Sequence, residues 1–265
     1  MQYEIQEEGK FKYIESKGGE KNLMLLHGLF GALSNFEGII DAFKEEYNVI
    51  VPMLPIFELP PKEVSLERLV AHISDFVELK GYDKVNVVGN SLGGHVALLY
   101  ALAQPEKVQS ITLTGSSGLF ENSIGSSFPP RGKYEFVKTK TEATFYDAKV
   151  ATKELVDEVY DIVNTTEKTF AVIYTARSAI KTNLEDKLDG IKAPTLLIWG
   201  KQDTITPPFV GEKFEELITD SKLIFIDKCG HAPMMEHPQK FNDYLKETCR
   251  RISWTMPWEN YLALA

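Results

Sequence analysis

The chain has 265 residues, 43% of them hydrophobic and 25% charged, a balance that supplies a sizeable buried core and excludes a mostly disordered polymer. Its 38 acidic against 29 basic residues leave a formal charge of −9, the wrong sign for gripping a nucleic-acid backbone, so no nucleic-acid partner is expected. Two cysteines make no disulfide framework, the opening MQYEIQEEGK has no basic-then-apolar leader, and no apolar run approaches the roughly 18 residues of a spanning helix; the expectation is a cytoplasmic protein without a membrane partner.

The first part of the chain alternates strand and helix signals. Tyr3–Ile5 and Phe11–Ile14, split by a turn at Glu8-Gly9, predict a hairpin. Leu23–Leu26 and Val49–Val51 are continuous apolar runs suited to strands buried on both faces. After a Pro-rich loop, Ser65 is placed to cap a helix whose Leu66, Leu69, Val70, Ile73, Phe76 and Val77 share one stripe. Val85–Val88 is the next buried strand, Leu92–Ala103 the next helix, and Ile111–Leu113 a further strand. From Gly118 to Pro130 the chain is loop-like, and two helices follow at about Thr152–Val163 and Glu167–Ser178. The strand–helix rhythm then resumes with strand Thr195–Trp199, helix Pro208–Leu217, strand Leu223–Ile226 and helix Pro238–Arg250.

Strands alternating with helices predict an α/β fold: a mostly parallel sheet with helices on both faces. The core then comprises residues 1–115 and 194–252, with 116–193 as a helical lid inserted before the late strands and 253–265 as an atypical tail. That tail holds Trp254 and Trp258 and a Pro257 that could open a short helix; a disordered or appended end is the reading preferred for it.

Gly89-Asn90-Ser91-Leu92-Gly93 sits between an apolar strand and a helix, the context of a nucleophile elbow. A serine there must occupy a tight, strained turn, and glycines two positions either side remove side chains that would collide. The plain alternative is a glycine-rich turn. Two later signals favour chemistry. Asp203 follows strand Thr195–Trp199 and His231 follows strand Leu223–Ile226, each just past a strand's carboxyl end. A serine hydroxyl needs an imidazole to take its proton, and the imidazole needs a carboxylate to fix its tautomer. The order Ser91, Asp203, His231 is the one this architecture uses. For the oxyanion, Leu92 N–H is one donor, and the loop His27-Gly28-Leu29-Phe30-Gly31 supplies the other, from Leu29 first and Phe30 as the alternative. His27 precedes the bend and reads as a structural residue.

The set H-G-L-F-G, G-N-S-L-G-G, W-G-K-Q-D-x-x-x-P and C-G-H-A-P-x-x-E-H-P, from about Lys21 to Arg250, resembles the α/β-hydrolase superfamily. Asn90 and the C-G-H motif look like the branch that includes the C–C bond hydrolases of ring-cleavage products. The resemblance implies an α/β-hydrolase fold and a Ser–Asp–His hydrolase with no metal and no organic cofactor. Departures bear on the substrate. The H-G-x-G-P-G loop of the C–C hydrolases is H-G-L-F-G here, and Thr152–Val163 carries no arginine to hold a substrate carboxylate, leaving Arg131 and Arg177 as loose candidates. Met53-Leu54-Pro55-Ile56-Phe57 replaces the usual D-x-P-G-x-G. These departures shift the expectation toward a small carboxylic ester, with C–C cleavage of a ring-cleavage-type dicarbonyl as the alternative and a non-catalytic ligand-binding module as the alternative of another class.

Phe30, Leu119, Phe120 and Met234 are the candidates for an apolar pocket around a small-molecule substrate; Phe128, Tyr134, Phe136, Phe145, Tyr146 and Met235 have the same chemistry, and simple packing is expected for more than half. The basic run Arg131, Lys133, Lys138 and Lys140 reads as solvated surface. The sequence leaves monomer or homo-oligomer open.

Overall fold

A computed structural model describes residues 3–30, 33–120 and 132–254. Eight strands form one sheet: β1 (Gln6–Glu8), β2 (Phe11–Glu15), β3 (Lys21–Leu26), β4 (Tyr47–Pro52), β5 (Val85–Asn90), β6 (Val108–Thr114), β7 (Thr195–Gly200) and β8 (Ser221–Ile226), in the order β1-β2-β4-β3-β5-β6-β7-β8. The first two pairings along that order are antiparallel and the remainder parallel. The hairpin begins later than the sequence suggests. Tyr3 is outside the strand, its hydroxyl donating to Asp41 at 2.7 Å, and the first strand starts at Gln6.

Side-chain alternation along the central strands builds two cores. Met24, Leu26, Val87, Leu113, Leu197 and Trp199 join one cluster, under helices α2 (Leu66–Lys80), α3 (Leu92–Ala103) and α7 (Pro208–Leu217). Leu23, Leu25, Val88, Leu196 and Ile198 point the other way, to α1 (Glu37–Phe43) and α9 (Pro238–Trp254). Strands β4, β5 and β7 are buried at every position, which is why their sequences are nearly unbroken apolar runs. Ser65 accepts the Arg68 N–H at 3.3 Å and caps α2 as its position suggests, while Gly81 ends that helix in the left-handed region.

Between β6 and β7 the chain inserts helices α4 (Tyr134–Glu142), α5 (Lys153–Asn164) and α6 (Thr166–Lys181). Thr152 caps α5 by accepting the Leu155 N–H, and Leu155, Val156, Ile162 and Val163 form its buried face. Ser178 of α6 accepts the Leu66 N–H at 2.9 Å, fastening the insertion to the first turn of α2. Three of the described α-helices have no counterpart in the sequence reading: α1, α4 and the single-turn α8 (Pro233–Glu236) that precedes α9. α1 is too short to show a period, and α4 buries only Val137 and Thr141. Helix α9 runs on to Trp254. Phe128, Arg131 and the remainder of the expected tail, including Pro257, lie outside the described residues. No helix among the described residues is long and apolar enough to cross a membrane.

After β3 the chain moves outward to β4, then returns to the far side of β3 for β5. The loops leaving β3 and β5 therefore diverge to opposite sides of the sheet, and open α/β sheets bind ligands in the crevice this creates.

Candidate active site

Ser91 is the single residue between β5 and α3, with φ 55° and ψ −118°, a strained conformation for a residue with a Cβ. It is held there by its backbone: its N–H donates to Thr114 O at 3.1 Å, and its carbonyl accepts from Gly94 and Ser117 N–H, both at 3.1 Å. The flanking glycines are steric requirements. A Cβ on Gly93 would stand 1.9 Å from Leu26 O at the end of β3, and one on Gly89 would stand 2.5 Å from Gly94 Cα. Helix α3 thus starts tight against the sheet, with Leu92 as its first residue.

The loop after β3 lies against this turn: a Cβ on Gly28 would be 3.3 Å from Ser91 Cβ and 3.4 Å from Asn90 Oδ1. His27 holds the loop's shape. Its Nδ1–H donates to Gly28 O at 2.8 Å, and its Nε2 accepts the Leu54 N–H at 3.1 Å. Accepting at one nitrogen while donating at the other makes the ring neutral, and burial pushes its pKa below the usual histidine value. Both ring nitrogens are occupied, so His27 is structural, as its place before the bend suggests.

Asp203 sits in a turn just past β7, buried with 3% of its surface exposed. Its Oδ1 accepts the Ile205 and Thr206 N–H groups at 2.8 and 3.0 Å, and its Oδ2 accepts the Thr206 hydroxyl at 2.8 Å and His231 Nδ1–H at 2.9 Å. Burial works against the charge on this carboxylate; the charge of His231 and these hydrogen bonds outweigh it and hold the pKa below the ordinary carboxylate value. The two loops interlock. Lys201 N–H donates to Ile226 O, Gln202 N–H to Cys229 O, and Cys229 N–H to Gln202 Oε1, each at 2.9 Å. A Cβ on Gly200 would meet Gly230 O at 2.1 Å.

His231 is also buried. Its N–H donates to Thr144 O at 2.9 Å, and its carbonyl accepts from Asn90 Nδ2 at 3.3 Å. Asn90 Nδ2 donates to Thr114 O as well, at 3.0 Å, so the residue before Ser91 ties the elbow to both β6 and the histidine loop. Gly115, at φ 52°, packs beneath the ring, where a Cβ would stand 2.7 Å from Nδ1.

The family model described as the alpha/beta hydrolase fold matches residues 21–238. The chain belongs to the α/β-hydrolase family. Among relatives of this hydrolase, a 2-hydroxy-6-oxo-6-(2'-aminophenyl)hexa-2,4-dienoic acid hydrolase of Metapseudomonas resinovorans is 29% identical, covering 92% of this chain and 89% of that protein. A 2-hydroxy-6-oxononadienedioate/2-hydroxy-6-oxononatrienedioate hydrolase of Burkholderia vietnamiensis (strain G4) is 30% identical, covering 90% of each. Among solved structures, an alpha/beta hydrolase enzyme from the metagenome of sediments of the Mar Chica lagoon, Morocco, is 41% identical with a TM-score of 0.77, covering 94% of this chain and 98% of that one.

The candidates for substrate contact in this hydrolase separate. Leu29 and Phe30 are half-buried on the loop beside Ser91. Leu119 and Phe120 line an open cavity of about 330 Å³ with Phe209, Val210, Glu212, Lys213 and Glu216 along α7; Ser91, Asp203 and His231 are not among its walls. Met234 is buried in the core cluster with Phe241 and Leu245, so its side chain packs the body of the protein. Lys133, Lys138 and Lys140 are exposed, with Lys138 paired to Glu142. Cys229 and Cys249 are both buried. Among the described residues no cluster of His, Cys, Asp or Glu is placed to hold a metal ion. Thr206 and Asn90 are the contributors that reading the sequence for a triad did not assign. The only trace of the first is its place three positions after an aspartate, which suits an Asx turn.

Proposed function

We propose that this hydrolase cleaves a bond to a carbonyl carbon, with Ser91 as nucleophile, His231 as general base and acid, and Asp203 orienting the imidazole. The observation that carries this is the 2.9 Å bond from His231 Nδ1–H to a buried carboxylate on the neighbouring strand's loop. With the proton fixed on Nδ1, the Nε2 lone pair is the basic site, as a serine nucleophile requires. Ser91 Oγ attacks the carbonyl carbon as His231 takes its proton, and Leu29 and Leu92 N–H groups hold the oxyanion. The acyl-enzyme forms as the leaving group departs with the bonding electron pair and the imidazolium proton; water then repeats the attack and frees the acid. The inserted helices 116–193 act as a lid over the site, and the body is formed by 1–115 and 194–252.

The substrate class is a 2-hydroxy-6-oxo-dienoate of the ring-cleavage type, whose C–C bond beside the ketone breaks. The names of relatives that align over about nine-tenths of their length support this choice. Transfer of the 2-hydroxyl proton to C5 first makes that carbon tetrahedral; the electron pair of the broken C5–C6 bond then passes into the conjugated 2-oxo-3-enoate as a dienolate, which makes carbon a tolerable leaving group. A second reading, a small carboxylic ester, is favoured by the insertion's charges. The α5 helix has no arginine, and Arg177 on α6 is exposed, so no arginine of these two helices is buried against a substrate carboxylate.

Two assays test both levels. A fluorophosphonate should label wild-type chain at Ser91 and leave Ser91→Ala untouched; an unlabelled wild type would mean a ligand-binding module. With 2-hydroxy-6-oxo-6-phenylhexa-2,4-dienoate and p-nitrophenyl butyrate side by side, the dienoate should have the larger kcat/KM. The reverse order gives the ester reading.

A further inference from the structure

We infer that Glu236 is a positioning residue for His231, clamping the loop that carries the imidazole to the inserted segment at Thr144–Asp147. The inference rests on the reading of Ser91 and His231 as nucleophile and base. Glu236 ends the short helix α8 and is half-buried. Its Oε1 accepts the Gly230 N–H at 2.7 Å and the Cys229 thiol at 3.8 Å. Its Oε2 accepts the Tyr146 N–H at 2.7 Å and the Asp147 N–H at 3.4 Å. One carboxylate therefore holds the amide directly before His231 and two successive amides of the insertion.

A second link runs beside it, the His231 N–H to Thr144 O bond of 2.9 Å. There is no slack between the two segments. A Cβ on Gly230 would stand 2.6 Å from Thr144 O and 3.0 Å from Phe145 Cα. The Phe145 side chain packs onto the core cluster that contains Cys229, Ala232 and Met234.

The loop needs such a device. Strand β8 ends at Ile226 and α8 begins at Pro233, so the residues between are outside both the sheet ladder and the helix. Their backbone donors must find other acceptors. An ionised carboxylate is acceptor-only and offers two oxygens to two sets of donors, with charge-assisted bonds. An amide of the same shape would turn an NH₂ donor toward one of those N–H groups. Asp203 thus fixes the imidazole at its ring nitrogen, while Glu236 fixes the backbone it hangs from, and a shift of the insertion at 144–147 carries His231 with it.

The test uses the full chain with Glu236→Gln and Glu236→Asp, the latter keeping the charge but shortening the reach. The rate at which a fluorophosphonate labels Ser91 should fall about 10- to 100-fold, the size of effect that a misplacement of about 1 Å produces, while the final labelling stoichiometry stays at the wild-type value. The fall should appear in kcat rather than KM, and the acid limb of the pH–rate profile should move. In the wild-type chain the Gly230 and Tyr146 amides should be protected from hydrogen exchange together, and both should exchange faster in Glu236→Gln. Variants that label fully at the wild-type rate with an unchanged acid limb would overturn the inference, as would wild-type Gly230 or Tyr146 amides exchanging like open-loop amides. A wild-type chain that the probe never labels overturns the serine-hydrolase reading instead, and only the exchange measurement would still judge the clamp.

Discussion

Asp203 Oδ2 accepts the Nδ1–H of His231 at 2.9 Å, inside a turn whose own amides hold the other carboxylate oxygen. The carboxylate therefore selects the ring tautomer as well as balancing charge. In Asp203→Asn an amide N–H can face Nδ1, which then accepts and leaves the proton on Nε2, where it blocks general-base action. We expect kcat to fall by about 10⁴ with the fold intact, since geometry survives while the tautomer is wrong. Steady-state kinetics beside a circular-dichroism melt would check it. A variant within tenfold of wild type would remove Asp203 from the mechanism.

Thr206 donates its hydroxyl to that same Oδ2 at 2.8 Å and lies 3.4 Å from His231 Nδ1. Thr206→Val keeps the shape and removes a hydrogen bond to a buried charge, which costs about 2 kcal/mol. Because Asp203 has a lowered pKa in the fold, the stability it contributes is present above the unfolded value and is lost as pH falls through the folded one. Without the hydroxyl that loss should set in at higher pH. Urea titrations of both proteins between pH 3 and 7 should show the shift, and superimposable curves would refute it.

Much of this site was legible because its constraints are local. The elbow glycines are dictated by a helix that starts against β3, and the serine, aspartate and histidine each follow an apolar strand, so motif and order point to these three positions as the candidates. Helices α3 and α7 were readable at both ends, α3 as an apolar run stopped before a proline and α7 from the proline at its first turn. Glu236 and the bridging role of Asn90 were not legible, because each acts through hydrogen bonds to loops distant in sequence, and Thr206 was not, because its bonds to Asp203 three positions earlier read in the sequence as an ordinary turn. Pocket residues were the weakest reading. An apolar side chain serves a cavity wall and a core equally well, and Met234 went to the core while Leu119 and Phe120 went to the α7 cavity.

The glycine after the elbow gives a steric prediction. In Gly93→Ala the new methyl would be forced to within 1.9 Å of Leu26 O, a backbone atom of a central strand that cannot move aside. We expect a loss of about 4 kcal/mol or more, the range reached by overpacking a core. Gly81→Ala is the control. It has nothing within 4 Å, and its φ of 65° should cost only about 1 kcal/mol. Chemical denaturation of the two variants should separate them clearly, and equal losses would mean the α3 start is looser than described.

Beside His27, whose pKa burial also lowers, two histidines outside the proposed mechanism contribute to the protein's response to mild acid. His95 lies on the first turns of α3, with Nε2–H donating to Thr182 O at 2.8 Å where the insertion returns to the body, and burial pushes its pKa down to about 4. His72 packs on Phe11 with ring centroids 4.7 Å apart, and burial, reinforced by the charge of Lys10, pushes it to about 4 as well. Between the ordinary histidine value near 6.5 and about 4, the unfolded chain therefore binds protons that the folded chain refuses. Stability should rise with pH across that window and level off above it, each ring contributing on the order of 3 kcal/mol over the full span. His95→Gln keeps an N–H donor for Thr182 O and does not titrate, so it should lower the proton uptake on unfolding by about one at pH 5. Unfolding free energies measured every half pH unit from 4 to 8 decide the matter. A wild-type curve flat below pH 6.5, or a His95→Gln curve with an unchanged slope, would show that these rings are not held neutral by the fold.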